Sequence, residues 1–156
     1  YFTEMLDPTM TWDDVSEMIE LWGGQFCLKG VMSQEDAVMA RDVGATGIVV
    51  SNHGGRQLDG SRSPFDQLEE IVDAVGGDID VIMDSGIQRG THVLKALAAG
   101  AKAVGGGRFY LYALAAAGQA GVERALEIMR TEIERNMRLM GVSKISELNR
   151  DHLRYR

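Results

Sequence analysis

Short apolar runs alternate with longer amphipathic segments along most of this chain. The short runs are rich in β-branched or small side chains, and each is followed by a loop containing glycine, which is typical of β-strands. The four strands predicted in this way are Phe26–Lys29, Gly47–Ser51, Asp80–Met83 and Ala103–Gly106.

The longer segments repeat their apolar positions at the spacing of an α-helix. Thr11 with Asp14, and Ser33 with Asp36, stand at the spacing of a helix-capping pair, and Gly141 is a natural helix end. The predicted helices are Trp12–Trp22, Ser33–Val43, Asp66–Val75, Thr91–Ala99, Tyr110–Ala117 and one from about Gly121 to Met140.

A strand followed by a helix, repeated four times with short loops, predicts parallel strands joined by right-handed crossovers. An open doubly wound sheet and a (β/α)8 barrel both accept this pattern. A full barrel needs eight such units. We therefore predict an α/β fold, the C-terminal half of a TIM (β/α)8 barrel, with residues 1–156 as one half-domain. We expect the N-terminal half to be absent, cleaved off or supplied by another chain.

Composition limits the possible partners and compartments. The 156 residues carry 16 Lys and Arg against 23 Asp and Glu, a net charge of −7, which argues against nucleic-acid binding. A single cysteine excludes a disulfide framework and a cysteine-based zinc site, and it fits a reducing compartment such as the cytoplasm. No apolar run is long enough to cross a bilayer, and we expect no signal peptide.

The loops that follow the last two predicted strands suit a phosphate group. Glycine-rich turns that open a helix let backbone amides approach an anion, and Arg89 and Arg108 add positive charge. In (β/α)8 barrels the phosphate site is typically built by the loops after strands seven and eight. The alternative is that these glycines only make turns and that the arginines pair with surface acids.

The loop after the second predicted strand carries His53 and Arg56, three residues apart. A histidine can move a proton near neutral pH, and a neighbouring arginine can grip a carboxylate. The alternative is a structural histidine. Lys29 ends the first strand, where its charge would stabilise a negative cofactor ring or simply reach solvent. We expect Cys27 to be a small core residue and Glu132 to lie on a solvated helix face.

The run Ser51–Asp59 resembles the signature of the FMN-dependent L-2-hydroxy acid oxidases and dehydrogenases, and the resemblance extends from Thr11 to Leu148. It implies a TIM barrel with FMN at the carboxyl ends of the strands. It also implies that His53 is the catalytic base and contacts the cofactor, and that Arg56 binds the substrate carboxylate. The cofactor-binding residues that it implies are Lys29, Ser51, His53, Asp84, Ser85, Gly86, Ile87, Gln88, Arg89, Gly107 and Arg108.

Two departures from the family pattern are visible. This chain has Ser85 where the family often has the first glycine of Asp-Gly-Gly, and Phe109 where the family often has proline. The stretch 105–110 and the loop 59–65 look most like the L-lactate dehydrogenase-like members, so L-lactate is the expected substrate. The family's N-terminal half carries the substrate tyrosines and the acid that orients the histidine.

The resemblance further implies a homotetramer, with a peripheral membrane site and a quinone acceptor as one option. Two other functions stay open at this point. One is a different FMN- or phosphate-binding barrel enzyme, and the other is a non-catalytic half barrel that only completes another chain.

Overall fold

The computed structural model describes residues 7–155, in which helices and strands alternate in the predicted order. The helices are α1 Trp12–Trp22, α2 Gln34–Asp42, α3 Pro64–Val75, α4 Gly90–Ala98 and α5 Gly107–Met140, and the strands are β1 Cys27–Val31, β2 Gly47–Val50, β3 Asp80–Met83 and β4 Ala103–Val104. Two short 3-10 helices, Ile145–Glu147 and Arg150–His152, follow α5.

Local capping chemistry sets the first two helix starts. The Thr11 hydroxyl accepts from the Asp14 amide, while the Asp14 carboxylate accepts from the Thr11 amide at 2.6 Å. The Ser33 hydroxyl accepts from the Asp36 amide at 3.0 Å. Both starts agree with the sequence prediction to within one residue, because capping depends only on residues three apart.

The predicted break between the last two helices is present as a kink inside α5. Ala117 and Gly118 leave helical geometry, with φ of −151° and 59°, and the helix then continues to Met140. The first part of α5 begins at Gly107 instead of Tyr110, so the glycine-rich loop itself forms the first helical turn.

The four strands form one parallel sheet in the order β1-β2-β3-β4. The register between β1 and β2 is regular as far as Lys29, and it then shifts by a bulge between Lys29 and Val31. Within the described part of the chain, the outer edges of β1 and β4 have no strand partner. An open sheet of this kind leaves backbone hydrogen-bonding groups available at both edges.

One face of the sheet carries the core. Ile48, Val50, Val81 and Met83 are buried, in one cluster with apolar side chains of α2, α3 and α4. Residues of the opposite parity are in register across the four strands on the other face: Lys29, Val49, Ile82 and Ala103. These four are exposed or half-buried, because no described helix covers that face.

Two expectations about burial were wrong. Cys27 is exposed, because it lies on the edge strand β1, on the face that no described helix covers. Glu132 is only 9% exposed, because α5 packs on α4 and turns this carboxylate inward. Within residues 7–155, no helix combines the length and the apolar character that crossing a membrane requires.

Candidate active site

The loops that follow β1, β2, β3 and β4 meet at one edge of the sheet, because all four strands are parallel. Lys29 of β1, the loops after β2 and β3 and the start of α5 line a cavity of about 260 Å³ there, which we call the strand-end cavity. Its lining brings together most of the predicted site residues: Lys29, His53, Gly54, Arg56, Asp84, Ser85, Gly86, Ile87, Gln88, Gly107, Arg108, Phe109 and Leu111.

Lys29 and Asp84 form an ion pair on the floor of this cavity. Lys29 Nζ lies 2.7 Å from Asp84 Oδ2 and donates a hydrogen bond of 2.8 Å to the buried hydroxyl of Ser51. Burial disfavours the charge on Asp84, but hydrogen bonds from Lys29, Ser51 and Ser85 outweigh it, so the pKa of Asp84 lies below its ordinary value. The cavity therefore holds an ion pair in which the charged form of Asp84 is favoured.

His53 sits on a tightly turned loop with its ring against β1. Its φ of 54° places it in the left-handed region, and its amide donates to Ser51 Oγ at 3.1 Å. A Cβ on Gly30, at the β1 bulge, would lie 2.7 Å from His53 Nε2. The ring occupies space that only a glycine at position 30 leaves free. The predicted strand ends at Lys29, so Gly30 is expected in the loop, whereas the observed strand continues to Val31. A glycine inside a strand often marks a bulge or a close approach.

Arg108 reaches the same loop from the start of α5. Its Nη2 donates a hydrogen bond of 2.6 Å to the Gly54 carbonyl, and a Cβ on Gly54 would collide with that guanidinium. Arg56 also lines the cavity and is exposed. Arg56 and Arg108 therefore both line the cavity. The guanidinium of Arg108 is held by the Gly54 carbonyl, and the side chain of Arg56 is exposed.

The structure does not bring Arg89 into the strand-end cavity. Its guanidinium pairs with Glu132, at 2.6 Å from Nη2 and 2.8 Å from Nε to Oε1, and Gln88 lines the cavity in its place. The hydrogen bond from Arg89 and that from the Gly90 amide, which together outweigh burial, lower the pKa of Glu132 to about 2. Adjacent residues project in different directions, and residue type does not reveal which one faces the cavity, so the cofactor contact of Arg89 stays a prediction.

The loop after β3 is also supported by a histidine whose role the sequence did not predict. His92, in the first turn of α4, places Nδ1 at 3.2 Å from the Gln88 amide and 3.1 Å from the Gly86 carbonyl. From the sequence alone this histidine had no evident partner. Its position in the first helical turn, a few residues after the glycine turn, is the sequence feature from which a contact with that turn could have been predicted.

The cavity has the features that a phosphate-bearing cofactor needs. Helix α5 begins at its rim, no side chain of residues 7–155 caps its first amides, and Arg108 adds a positive charge. A Cβ on Gly86 or on Gly107 would meet no atom within 4 Å, so the space beside both backbones is open. At α4, by contrast, Glu132 accepts from the Gly90 amide at 2.8 Å and occupies the helix start.

Comparison with known proteins decides the family. The sequence model of a family described as FMN-dependent dehydrogenase matches residues 1–155. This chain belongs to the FMN-dependent dehydrogenase family. The cofactor of that family is FMN, and the open, positively charged helix start in the cavity fits it. The predicted family and cofactor are thereby confirmed.

Individual relatives within the FMN-dependent dehydrogenase family differ in substrate and acceptor. The chain is 46% identical over 156 residues to an L-lactate dehydrogenase (cytochrome) of Saccharomyces cerevisiae, covering 97% of this chain and 26% of that protein. It is 45% identical over 153 residues to an L-lactate oxidase of Nostoc sp., covering 98% of this chain and 42% of the relative.

A solved structure of the family confirms the fold class. The crystal structure described as the monotopic membrane protein (S)-mandelate dehydrogenase superposes with a TM-score of 0.94 at 38% identity, covering 99% of this chain and 41% of that chain. This chain thus spans between about a quarter and about two fifths of the length of these three relatives.

Proposed function

We propose that residues 1–156 form the C-terminal half of an FMN-dependent 2-hydroxy acid dehydrogenase or oxidase domain, and that the completed domain oxidises L-lactate to the 2-keto acid. The observation that carries this proposal is the convergence of His53, Arg56, Arg108 and the Lys29–Asp84 pair on one cavity. A proton acceptor, a carboxylate-binding cation and a phosphate site are together what this reaction requires.

The open sheet supports completion by a second half of the barrel. In residues 7–155 the outer edges of β1 and β4 are unpaired and no helix covers the face with Val49 and Ile82. Four further strands would close both the edges and this face. In the proposal, that N-terminal half shares the strand-end cavity and completes the substrate site.

FMN, when bound, accepts the two electrons that leave the substrate. Gly107 and Arg108 would hold its phosphate, because they supply free helix amides and a positive charge at the rim. The residues that would contact the rest of the cofactor are Lys29, Ser51, His53, Asp84, Ser85, Gly86, Ile87 and Gln88. Arg89 would act through its ion pair with Glu132, which fixes the start of α4.

The side chains of this chain divide the substrate chemistry between them. The exposed guanidinium of Arg56 binds the substrate carboxylate and so orients the reacting carbon. His53 then accepts one proton. This is the hydroxyl proton if the hydrogen on carbon leaves as hydride, and the carbon-bound proton if a carbanion forms. The proposed role of His53 is the same proton acceptor in both routes.

The decisive experiment is flavin reduction by L-lactate in the complete protein, followed anaerobically by stopped-flow absorbance. We expect His53→Gln to bind FMN and to abolish reduction, because the amide cannot accept the proton. His152→Gln is the matched control, since His152 lies in a 3-10 helix away from the strand-end cavity, and it should reduce flavin at the wild-type rate. Reduction of His53→Gln at the wild-type rate would remove His53 from its role.

The same samples separate the two rival functions. A colourless complete protein would favour the non-catalytic half barrel. A yellow protein that no 2-hydroxy acid reduces would favour a different FMN-dependent barrel enzyme. To assign the substrate, we expect kcat/KM to be higher for L-lactate than for glycolate or (S)-mandelate, since two of the three relatives are named for L-lactate.

We propose that the complete protein is a cytoplasmic homotetramer. It contacts the membrane surface peripherally and passes its electrons to a quinone there. Large apolar side chains outside the strand-end cavity are exposed along the first part of α5, which supports a protein or membrane contact there: Tyr110, Tyr112 and Leu114. Light scattering of the complete protein gives the subunit number. Co-flotation with lipid vesicles, with and without a quinone, tests the membrane contact.

A further inference from the structure

Two residues other than glycine have positive φ within residues 7–155, and they meet at the peptide bond between positions 53 and 54. They are His53, with φ of 54°, and Ser85, with φ of 70°. They belong to different loops, after β2 and after β3, yet the Gly54 amide donates a hydrogen bond of 3.0 Å to Ser85 Oγ. Residues other than glycine are strained in this backbone region, and they adopt it only where the surrounding structure holds them there.

The Ser85 hydroxyl continues this contact into the cavity floor. It donates a hydrogen bond of 2.9 Å to Asp84 Oδ1, and Asp84 Oδ2 pairs with Lys29. On the other side of the histidine, Ser51 Oγ accepts from the His53 amide and from Lys29 Nζ. Two hydroxyl groups therefore hold the backbone on either side of the His53 ring, and both are anchored to one ion pair.

We propose that Ser85 is a positioning residue whose hydroxyl fixes the His53 loop to the Lys29–Asp84 pair and thereby sets the direction of the His53 ring. This inference rests on the proposed function, in which His53 accepts the substrate proton. A glycine at position 85 would adopt the same φ without strain. A serine is strained at this φ, but its hydroxyl forms a hydrogen bond between the loops after β2 and β3 that glycine cannot form.

Other contacts of Gly54 do not replace this bond. The Gly54 amide also lies 3.1 Å from Asn52 Oδ1, but Asn52 belongs to the same loop and cannot fix that loop to β3. Arg108 holds the Gly54 carbonyl, yet the proposed function directs this guanidinium to the FMN phosphate. Removal of the Ser85 hydroxyl would leave the Gly54 amide bonded to Asn52 and the His53 amide bonded to Ser51, so folding should survive. The loop would lose one of its two links to the ion pair, the one at Gly54.

The test compares Ser85→Gly with Ser85→Ala in the complete protein, because both delete the hydroxyl and only glycine relieves the strain. We expect Ser85→Gly to unfold at the same or a higher temperature. Its rate is measured at saturating FMN, because Ser85 is also a proposed cofactor contact. Its rate of flavin reduction should fall about fivefold, the effect of one hydrogen bond, with kcat lowered and the KM for L-lactate unchanged. Ser85→Ala should lose the same rate and also melt at a lower temperature.

A crystal structure of the flavin-free Ser85→Gly protein provides a readout independent of activity. We expect the His53 ring to move by more than about 0.5 Å relative to the flavin-free wild type, a shift that matters for a site of this kind. An unmoved ring, or flavin reduction by Ser85→Gly at the wild-type rate, would overturn the inference. So would a loss of rate in Ser85→Ala alone, because it would assign the effect to backbone strain.

The two proposals can fail separately. If His53→Gln reduces flavin normally, the proposed function fails whatever Ser85 does. If His53→Gln is inactive and Ser85→Gly behaves as the wild type, only the role of Ser85 is lost.

Discussion

The contact between Gly30 and His53 gives the most direct test of the site geometry. Gly30 has φ of +102°, and a Cβ built on it would lie 2.7 Å from His53 Nε2, where ordinary contacts begin at 3.4 Å. Gly30→Ala must therefore move the ring or the strand by about 0.7 Å, the difference of these two distances. It must also hold alanine in a left-handed conformation, a strain of about 1–3 kcal/mol.

Gly44 provides a matched control for the strain. It has φ of +98°, close to that of Gly30, and a Cβ on it would meet only Ile19 Cγ2, at an ordinary 3.7 Å. We expect Gly30→Ala and Gly44→Ala each to lower the free energy of unfolding by about 1–3 kcal/mol. Only Gly30→Ala should displace His53, because only there does the added methyl group meet the imidazole.

The assay combines urea unfolding with anaerobic flavin reduction by L-lactate in the complete protein. A catalytic group misplaced by about 1 Å can lose about a hundredfold in rate, so the shift at Gly30 should slow reduction between ten- and a hundredfold. Gly44→Ala should keep the wild-type rate at the same loss of stability. Equal rates in both variants would refute the idea that Gly30 gives His53 its place.

Two further predictions concern charge. The folded pKa of Glu132, about 2, lies below its ordinary value of 4.5, so the stability from its pairing with Arg89 is complete above about pH 4.5 and is lost as the pH falls toward 2. Circular dichroism should show this acid transition, and Glu132→Gln should flatten it; an unchanged transition would exclude the pair as its source. Arg56→Met should chiefly raise the KM for L-lactate with a smaller loss of kcat in steady-state assays, and a KM equal to that of the wild type would contradict its carboxylate-binding role.

The elements that depend on neighbouring residues were predictable from the sequence. Strand β3 has the predicted bounds, and Thr11 and Ser33 cap their helices as expected. Strand β4 is shorter than predicted, and α5 begins three residues early at Gly107, because the glycine loop folds into the helix. Such ends depend on tertiary packing, which local pattern does not contain.

The candidate site was predictable in its location and only partly in its contacts. The predicted parallel order of the strands is sufficient to place Lys29, His53, Asp84 and Arg108 at one end of the sheet. It did not show that Arg89 turns away to Glu132, since that carboxylate lies 43 residues further along the chain. Long-range pairs of this kind need two segments to fold together.

The amino-acid order by itself determined the alternation of strands and helices, the family and the end of the sheet where the chemistry lies. These follow from periodicity and from a contiguous motif, which act within a few residues. Only the tertiary structure decided that Gly30 makes room for the His53 ring and that Ser85 joins two loops through the Gly54 amide. These contacts join segments 23 to 31 residues apart, and packing in three dimensions selects them.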